Sequence, residues 1–268
     1  MNFLKILFKK IYWKIAKKIG FVVLLRDERP SIHSDELKLY KTITGDYYLP
    51  KYAYQDVIRG EIIKNRIFDK EVFDLSKKFI KPDSVVLDAG ANYGQMSILF
   101  SKLFPNILVY SFEASIFTFN ILSKNAELNS KNIKTINCVL SNSNGEEYLK
   151  KPSLKKYGTY GSEVVEFSSD EKNRYDKKTL IKKIDDFIFE KKVSFMKVDV
   201  EGWDLKVLEG SLKTIEQNQM PIIFEYAPEY QEKMNYSFDD YVNFFKNLNY
   251  KFLTTKNNNF LVIPKEYS

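Results

Sequence analysis

The chain has 268 residues, 44% hydrophobic and 15% aromatic, enough for one full α/β core with appendages and too few for a second domain of similar size. The single cysteine, Cys138, excludes an internal disulfide, and with the single histidine, His33, it excludes a zinc site built on Cys/His clusters; any metal must be held by oxygen. A net charge of +7 admits nucleic acid, an anionic membrane or an anionic sugar as partner.

In residues 1–20, Leu4, Leu7, Phe8, Ile11, Tyr12, Ile15 and Ile19 share one arc of a helical wheel, while Lys5, Lys9, Lys10, Lys14 and Lys17 take the other. This predicts a basic amphipathic helix, lying on an anionic membrane surface or packed against protein. Its lysines make it a poor transmembrane span, and no small-residue cleavage site follows. Residues 1–45 are expected to form this helix and a linker, with one domain from 46 to 268. Next, Tyr47, Tyr48, Leu49, Pro50, Tyr52 and Tyr54 either flank a cleft or pack inside.

The run Val85 to Gly94 reads as a buried strand, a tight glycine turn and the start of a helix whose apolar face holds Met96, Ile98, Leu99, Leu103 and Phe104. Its pattern is D-x-G-x-N-x-G, carried by Asp88, Gly90, Asn92 and Gly94. The third glycine of a pyrophosphate-binding fingerprint is absent, and a carboxylate leads, which suits a cationic ligand better than a dinucleotide. A second strand, Leu108 to Glu113, ends in an acid placed to hold ribose hydroxyls. S-adenosylmethionine meets both demands, with its ribose for Glu113 and its charged tail for the turn from Asp88 to Gly94.

Ile133 to Leu140 reads as a third strand, with Cys138 as a small core residue and the strand exit lining an adenine pocket. A long insert follows, and its basic, aromatic, glycine-hinged segment Lys155 to Ser162 predicts a lid within 145–180, the alternative being a surface excursion. The run from Val193 to Asp204 repeats the strand, acid, glycine, helix order. Asp199 falls at the strand end, Glu201 two residues on and Gly202 in the turn; Asp204 is read as favouring the helix start. Pro221 to Tyr226 is a further strand ending in Glu225. Adjacent parallel strands would set Asp199 and Glu225 on one rim, able to orient a hydroxyl, act as base or hold Mg²⁺. Finally, Phe238 to Leu248 predicts a helix with Ser237 as N-cap, and Tyr250 to Thr255 with Phe260 to Pro264 predicts an antiparallel hairpin.

The segments VVLDAGANYGQMSILFSK, SFEAS with NAELN behind it, and FMKVDVEGWDLKVLEG with IIFEY after it resemble FkbM-type methyltransferases, which depend on S-adenosylmethionine. The resemblance runs from about Tyr47 to about Glu229. It implies a Rossmann-like seven-stranded class I methyltransferase sheet, mostly parallel with an antiparallel C-terminal strand and helices on both faces. Cofactor contacts are expected from Asp88, Ala89, Gly90, Asn92, Gly94, Glu113, Ala114, Val139 and Asp199, and in the catalytic set Asp199 is the first candidate to orient or deprotonate the acceptor hydroxyl, with Glu201 and Glu225 as its partners or Mg²⁺ ligands. Ala114 stands where the family usually has proline, which touches loop stiffness and leaves the ribose contact. The expected activity is O-methylation of a sugar hydroxyl in glycan biosynthesis, in the cytoplasm or peripheral on the inner face of the membrane. A non-catalytic scaffold, a nucleic-acid methyltransferase and an NAD-dependent oxidoreductase are the alternatives. The second lacks a recognition module and an Asn/Asp-Pro-Pro-aromatic motif.

Overall fold

In the computed structural model, described for residues 37–267 apart from 52, 105, 152–165, 229, 231–233, 254 and 256–257, the apolar runs become the centre of a seven-stranded sheet. Its strands are β3 (Val85–Ala89), β4 (Leu108–Glu113), β5 (Ile133–Asn137), β9 (Val193–Val198), β10 (Ile222–Glu225), β11 (Tyr250–Leu253) and β12 (Asn259–Pro264). They lie in the order β11-β12-β10-β9-β3-β4-β5, with β12 antiparallel to both neighbours and β10 through β5 parallel. This is the Rossmann-like sheet of class I methyltransferases, closed by the expected hairpin. Every residue of β3 and β9 is buried, as central parallel strands covered on both faces require.

The helices are α1 (Val57–Ile63), α2 (Lys70–Ser76), α3 (Gln95–Leu103), α4 (Ile116–Asn129), α5 (Asp204–Glu209), α6 (Leu212–Asn218) and α7 (Phe238–Asn247). Ser237 starts α7 as expected: its N–H donates to Asp240 Oδ2 at 2.7 Å. α7 buries Tyr241 and Phe245, whose rings stack on Phe224 of β10 with centroids 5.0 and 5.5 Å away.

The predicted third strand divides. β5 ends at Asn137, whose Nδ2 donates to the Glu113 and Ala114 carbonyls at 2.8 and 3.0 Å, so a side-chain amide stands where the next ladder bonds would form. After buried Cys138 the chain enters β6 (Val139–Leu140), which joins β8 (Thr179–Lys182) and β7 (Gly145–Glu147) in a small separate sheet. Part of the expected lid is therefore folded sheet, while Lys155 to Ser162 lies outside the described residues. The amphipathic segment 1–20 also lies outside them.

Among the described residues, β1 (Leu37–Lys41) pairs with β2 (Asp46–Pro50) as a hairpin. Two asparagines of α4 close the other edge of β2. Asn125 Oδ1 accepts the Tyr48 N–H at 2.7 Å and its Nδ2 donates to the Tyr48 carbonyl at 3.2 Å. Asn129 does the same for Asp46, at 3.0 and 2.6 Å. Tyr47 and Leu49 are fully buried and pack inside, Tyr48 is half-buried, Tyr54 is exposed, and Tyr52 lies outside the described residues.

Candidate active site

The strand registers place the expected acids together. Glu113 faces Asn137 and Glu225 faces Asn259; one residue beyond the paired rows, Gly90 follows between Glu113 and Asp199. The carboxyl rim of the sheet thus runs Asn137, Glu113, Gly90, Asp199, Glu225, Asn259, with neighbours roughly 4.8 Å apart. Two residues deeper on the same face sits the row Ser111, Asp88, Lys197, Ile223.

The cofactor half is held by backbone groups. Gly90, Asn92 and Gly94 have φ of 78°, 50° and 88°, a sequence of left-handed turns that opens the loop between β3 and α3. Glu113 Oε2 accepts the Asn92 N–H and Oε1 the Ser115 N–H, both at 3.0 Å. Burial raises the Glu113 pKa to about 7, against these N–H groups. Each carboxylate oxygen keeps a further lone pair for ribose hydroxyls. Asn125 Nδ2 donates to the Tyr93 carbonyl at 2.9 Å, and the Tyr93 hydroxyl to Asp56 Oδ2 at 2.8 Å, tying the loop to α4 and α1. A Cβ on Gly90 would stand 1.8 Å from the Asp199 carbonyl oxygen, so the close approach that demands glycine there is between the ends of β3 and β9. Ala89 is a fully buried strand residue, and Ala114 faces solvent only in part. Val139 departs from its expected place: because β5 stops at Asn137, it belongs to the small sheet and packs with Leu149 and Trp203, and Asn137 occupies the strand exit instead.

Asp88 does not face a ligand alone. It is fully buried, Oδ2 accepts the Ser97 hydroxyl at 2.5 Å, and Oδ1 has no hydrogen-bond partner. Beside it stands Lys197, 5% exposed, its Nζ 3.8 Å from Asp88 Oδ1 and 2.9 Å from Asp199 Oδ2. Burial works against the Lys197 ammonium, but Asp199 and Asp88 outweigh it and hold its pKa above the ordinary lysine value. Lys197 was not singled out in the sequence, although a lysine inside the apolar run VSFMKV is a visible signal, since burial of lysine requires a partner.

The acceptor half carries carboxylates with little compensation. Burial, then Asp199, pushes Glu201 and Glu225 up to about 8, and Asp204 up to about 7. Glu201 takes the left-handed conformation at φ 53°, next to Gly202 at 93°, and bonds to the Tyr230 side chain. Asp204 is buried in the first turn of α5, the place expected for an acid that favours the helix start, and its Oδ2 also accepts the Gly202 N–H at 3.2 Å. The structure therefore brings Asp199, Glu201 and Glu225 together. It does not make them a metal site: among the described residues no group of three or more His, Cys, Asp or Glu is arranged to hold an ion, and Asp199 already binds Lys197. The Mg²⁺ expectation does not fit these residues.

A narrow cavity of about 40 Å³ opens between the two halves, its wall including Asp69, Asp88, Gly90, Asn92, Lys197 and Asp199. Three carboxylates face one ammonium there, leaving a net formal charge of −2 (one positive, three negative). With Asp88 Oδ1 buried and without a hydrogen bond, the wall fits a cationic ligand that brings donors, as the ammonium of S-adenosylmethionine would, its sulfonium adding positive charge only.

A model of the methyltransferase FkbM domain matches residues 88–252, and the chain belongs to that family. Its curated relatives include Methyltransferase 1 of Beauveria bassiana, 27% identical over 56% of this chain and 66% of that protein, and methyltransferase sdnD of Sordaria araneosa, 26% identical over 57% and 69%. Among solved structures, the FkbM methyltransferase of Methylobacillus flagellatus aligns at 15% identity and a TM-score of 0.46, covering 71% of this chain and 50% of that one. A TehB-like SAM-dependent methyltransferase of Corynebacterium glutamicum aligns at 11% and 0.44, covering 76% and 91%.

Proposed function

We propose that this methyltransferase uses S-adenosylmethionine to methylate a hydroxyl of a sugar, in a glycan or a related metabolite. The carboxylate excess around Gly90 carries the cofactor part of this reading: it favours a cationic cofactor and repels a pyrophosphate. When bound, the cofactor supplies an electrophilic methyl on a sulfonium. Glu113 would hold its ribose, while Asp88 and Asp199 offset its positive charge.

The protein must then orient a hydroxyl and take its proton. Asp199 is fixed by Lys197 and orients. Glu225 is the better base, because its pKa near about 8 matches proton uptake near neutral pH and no hydrogen bond occupies its carboxylate among the described residues. An intact set of charged residues supports an enzyme over a scaffold.

Calorimetry tests the cofactor half. S-adenosylhomocysteine should bind and NAD should not, and Glu113→Ala should weaken binding by about 1–3 kcal/mol. Comparable binding of NAD would overturn the assignment. Product mass after incubation with a sugar panel tests the other half: a gain of one methyl identifies the reaction, and Glu225→Gln should slow it by ~10²-fold or more at unchanged cofactor affinity.

Among the described residues no helix is long and apolar enough to cross a membrane. For residues 1–20 the proposal is surface binding: full-length protein should bind anionic vesicles, less so in high salt, and a chain starting near Phe21 should not. Indifference of the full chain to such vesicles at low salt would refute it.

A further inference from the structure

A second cavity, of about 100 Å³, lies beside the first on the same face of the sheet, lined by Asp69, Val72, Ile223, Thr255 and Asn259 among others. Asp69 belongs to both walls, and so joins them. Its conformation is unusual. It stands at the N-cap of α2, where an aspartate ordinarily takes extended backbone and accepts a hydrogen bond from the helix. Here it is left-handed, at φ 50° and ψ 48°, and its side chain caps nothing. A non-glycine residue is uncommon in that region and persists where its surroundings hold it. Among the described residues its carboxylate makes no hydrogen bond or ion pair; it turns instead toward the Asp199 and Lys197 end of the rim, where burial and Asp199 raise its pKa.

The two cavities differ in what they can receive. The first contains the only described ammonium of the pair's shared corner, Lys197, already bound to Asp199. The second adds Glu71, Thr255 and Asn259, and Glu225 stands in register with Asn259 at its edge; its lysine, Lys70, is ion-paired to Asp74. Among the described residues, an anionic acceptor would meet the carboxylates of Asp69 and Glu225 with no free ammonium beside them, whereas a neutral polyol offers hydroxyl donors that carboxylates and carbonyls accept.

We infer that the second cavity is the acceptor subsite, that it takes an uncharged polyhydroxyl ring, and that Asp69 orients the hydroxyl to be methylated. This rests on the sugar-methyltransferase reading and narrows it to uncharged rings. The opposed wild-type probes are neutral methyl hexopyranosides and the matching hexuronates, assayed by product mass and by saturation-transfer NMR on the S-adenosylhomocysteine complex. Neutral sugars should be bound and methylated, and hexuronates should be at least ~10-fold poorer.

Asp69→Asn should lose the saturation-transfer signal and at least ~10-fold in transfer, while cofactor affinity by calorimetry stays within ~3-fold. Thr255→Val should weaken acceptor binding more mildly, and Asp69→Lys should shift preference toward hexuronates. Equal use of hexuronates by the wild type, or an Asp69→Asn protein that folds and binds and methylates neutral sugars normally, overturns the inference. Either result with intact S-adenosylhomocysteine binding leaves the methyltransferase reading standing; failure to bind that probe would sink the reading itself.

Discussion

On the cofactor half of the rim the carboxylate of Glu113 receives two backbone N–H groups, and the loop it faces is tied by Asn125 and Asp56. On the acceptor half, Glu225 and Glu201 stand near Asp199 and Asp204, with one buried lysine to balance them. Both halves use acids at strand exits. The first spends its donors on holding a loop in one shape, which a cofactor common to many reactions requires. The second leaves its acids under-compensated, so their protons are loosely assigned and available for chemistry.

Removing Lys197 breaks this comparison most severely. Lys197→Met leaves Asp88 and Asp199 buried or half-buried without their cation, and should cost about 3–5 kcal/mol in urea unfolding. Replacing Asp88 by Asn in the same protein should recover part of that loss. Next comes Gly90→Ala, which forces a methyl group against the Asp199 carbonyl at a left-handed position; a stability loss of about 1–3 kcal/mol and failure of cofactor binding are expected. Normal calorimetric affinity in this variant would mean that the strand ends can part freely.

Titration sharpens the contrast. Glu225 has a native pKa of about 8 against roughly 4.3 in the unfolded chain. The native state binds this proton more tightly, so its contribution to stability is complete below pH ~4.3 and is lost as pH rises through about 8. Thermal scans between pH ~5 and ~9 should therefore show a falling Tm that Glu225→Gln flattens. A parallel decline in both proteins would assign the effect to other groups. The smallest effect separates two similar residues: Asn129→Ala should cost about 1 kcal/mol of stability with unchanged cofactor affinity, and Asn125→Ala should weaken the cofactor as well, through the freed Tyr93 carbonyl.

Most of the sheet was legible because buried parallel strands are written as short apolar runs, and the acids ending them fell on one rim as read. The hairpin and the α7 cap were equally local. What escaped was information held between distant segments. Nothing near Val139 announces that Asn137 will end its strand by bonding to Glu113 and Ala114. Asp69 looks like an ordinary helix cap, and only its φ and its two cavities mark it out. Asn125 and Asn129 lay inside NAELN, yet their work depends on a strand some eighty residues earlier, at separations of 77 and 83. Lys197 was visible and passed over because a motif read for its acids hid its base.

That asparagine pair has a consequence for the outer edge of the hairpin. A strand edge with free N–H and C=O groups is a template for another chain, and here a helix supplies the missing partner without supplying a strand. The substitution works over a short distance only. Four helical residues advance about 6.0 Å, while two strand residues advance about 6.8 Å. Each added rung would therefore fall roughly 0.8 Å further out of step. A longer β2 could not be sealed by extending the same asparagine spacing; its extra backbone would be left open to recruit a neighbour, so the brevity of the hairpin is itself a guard against self-association.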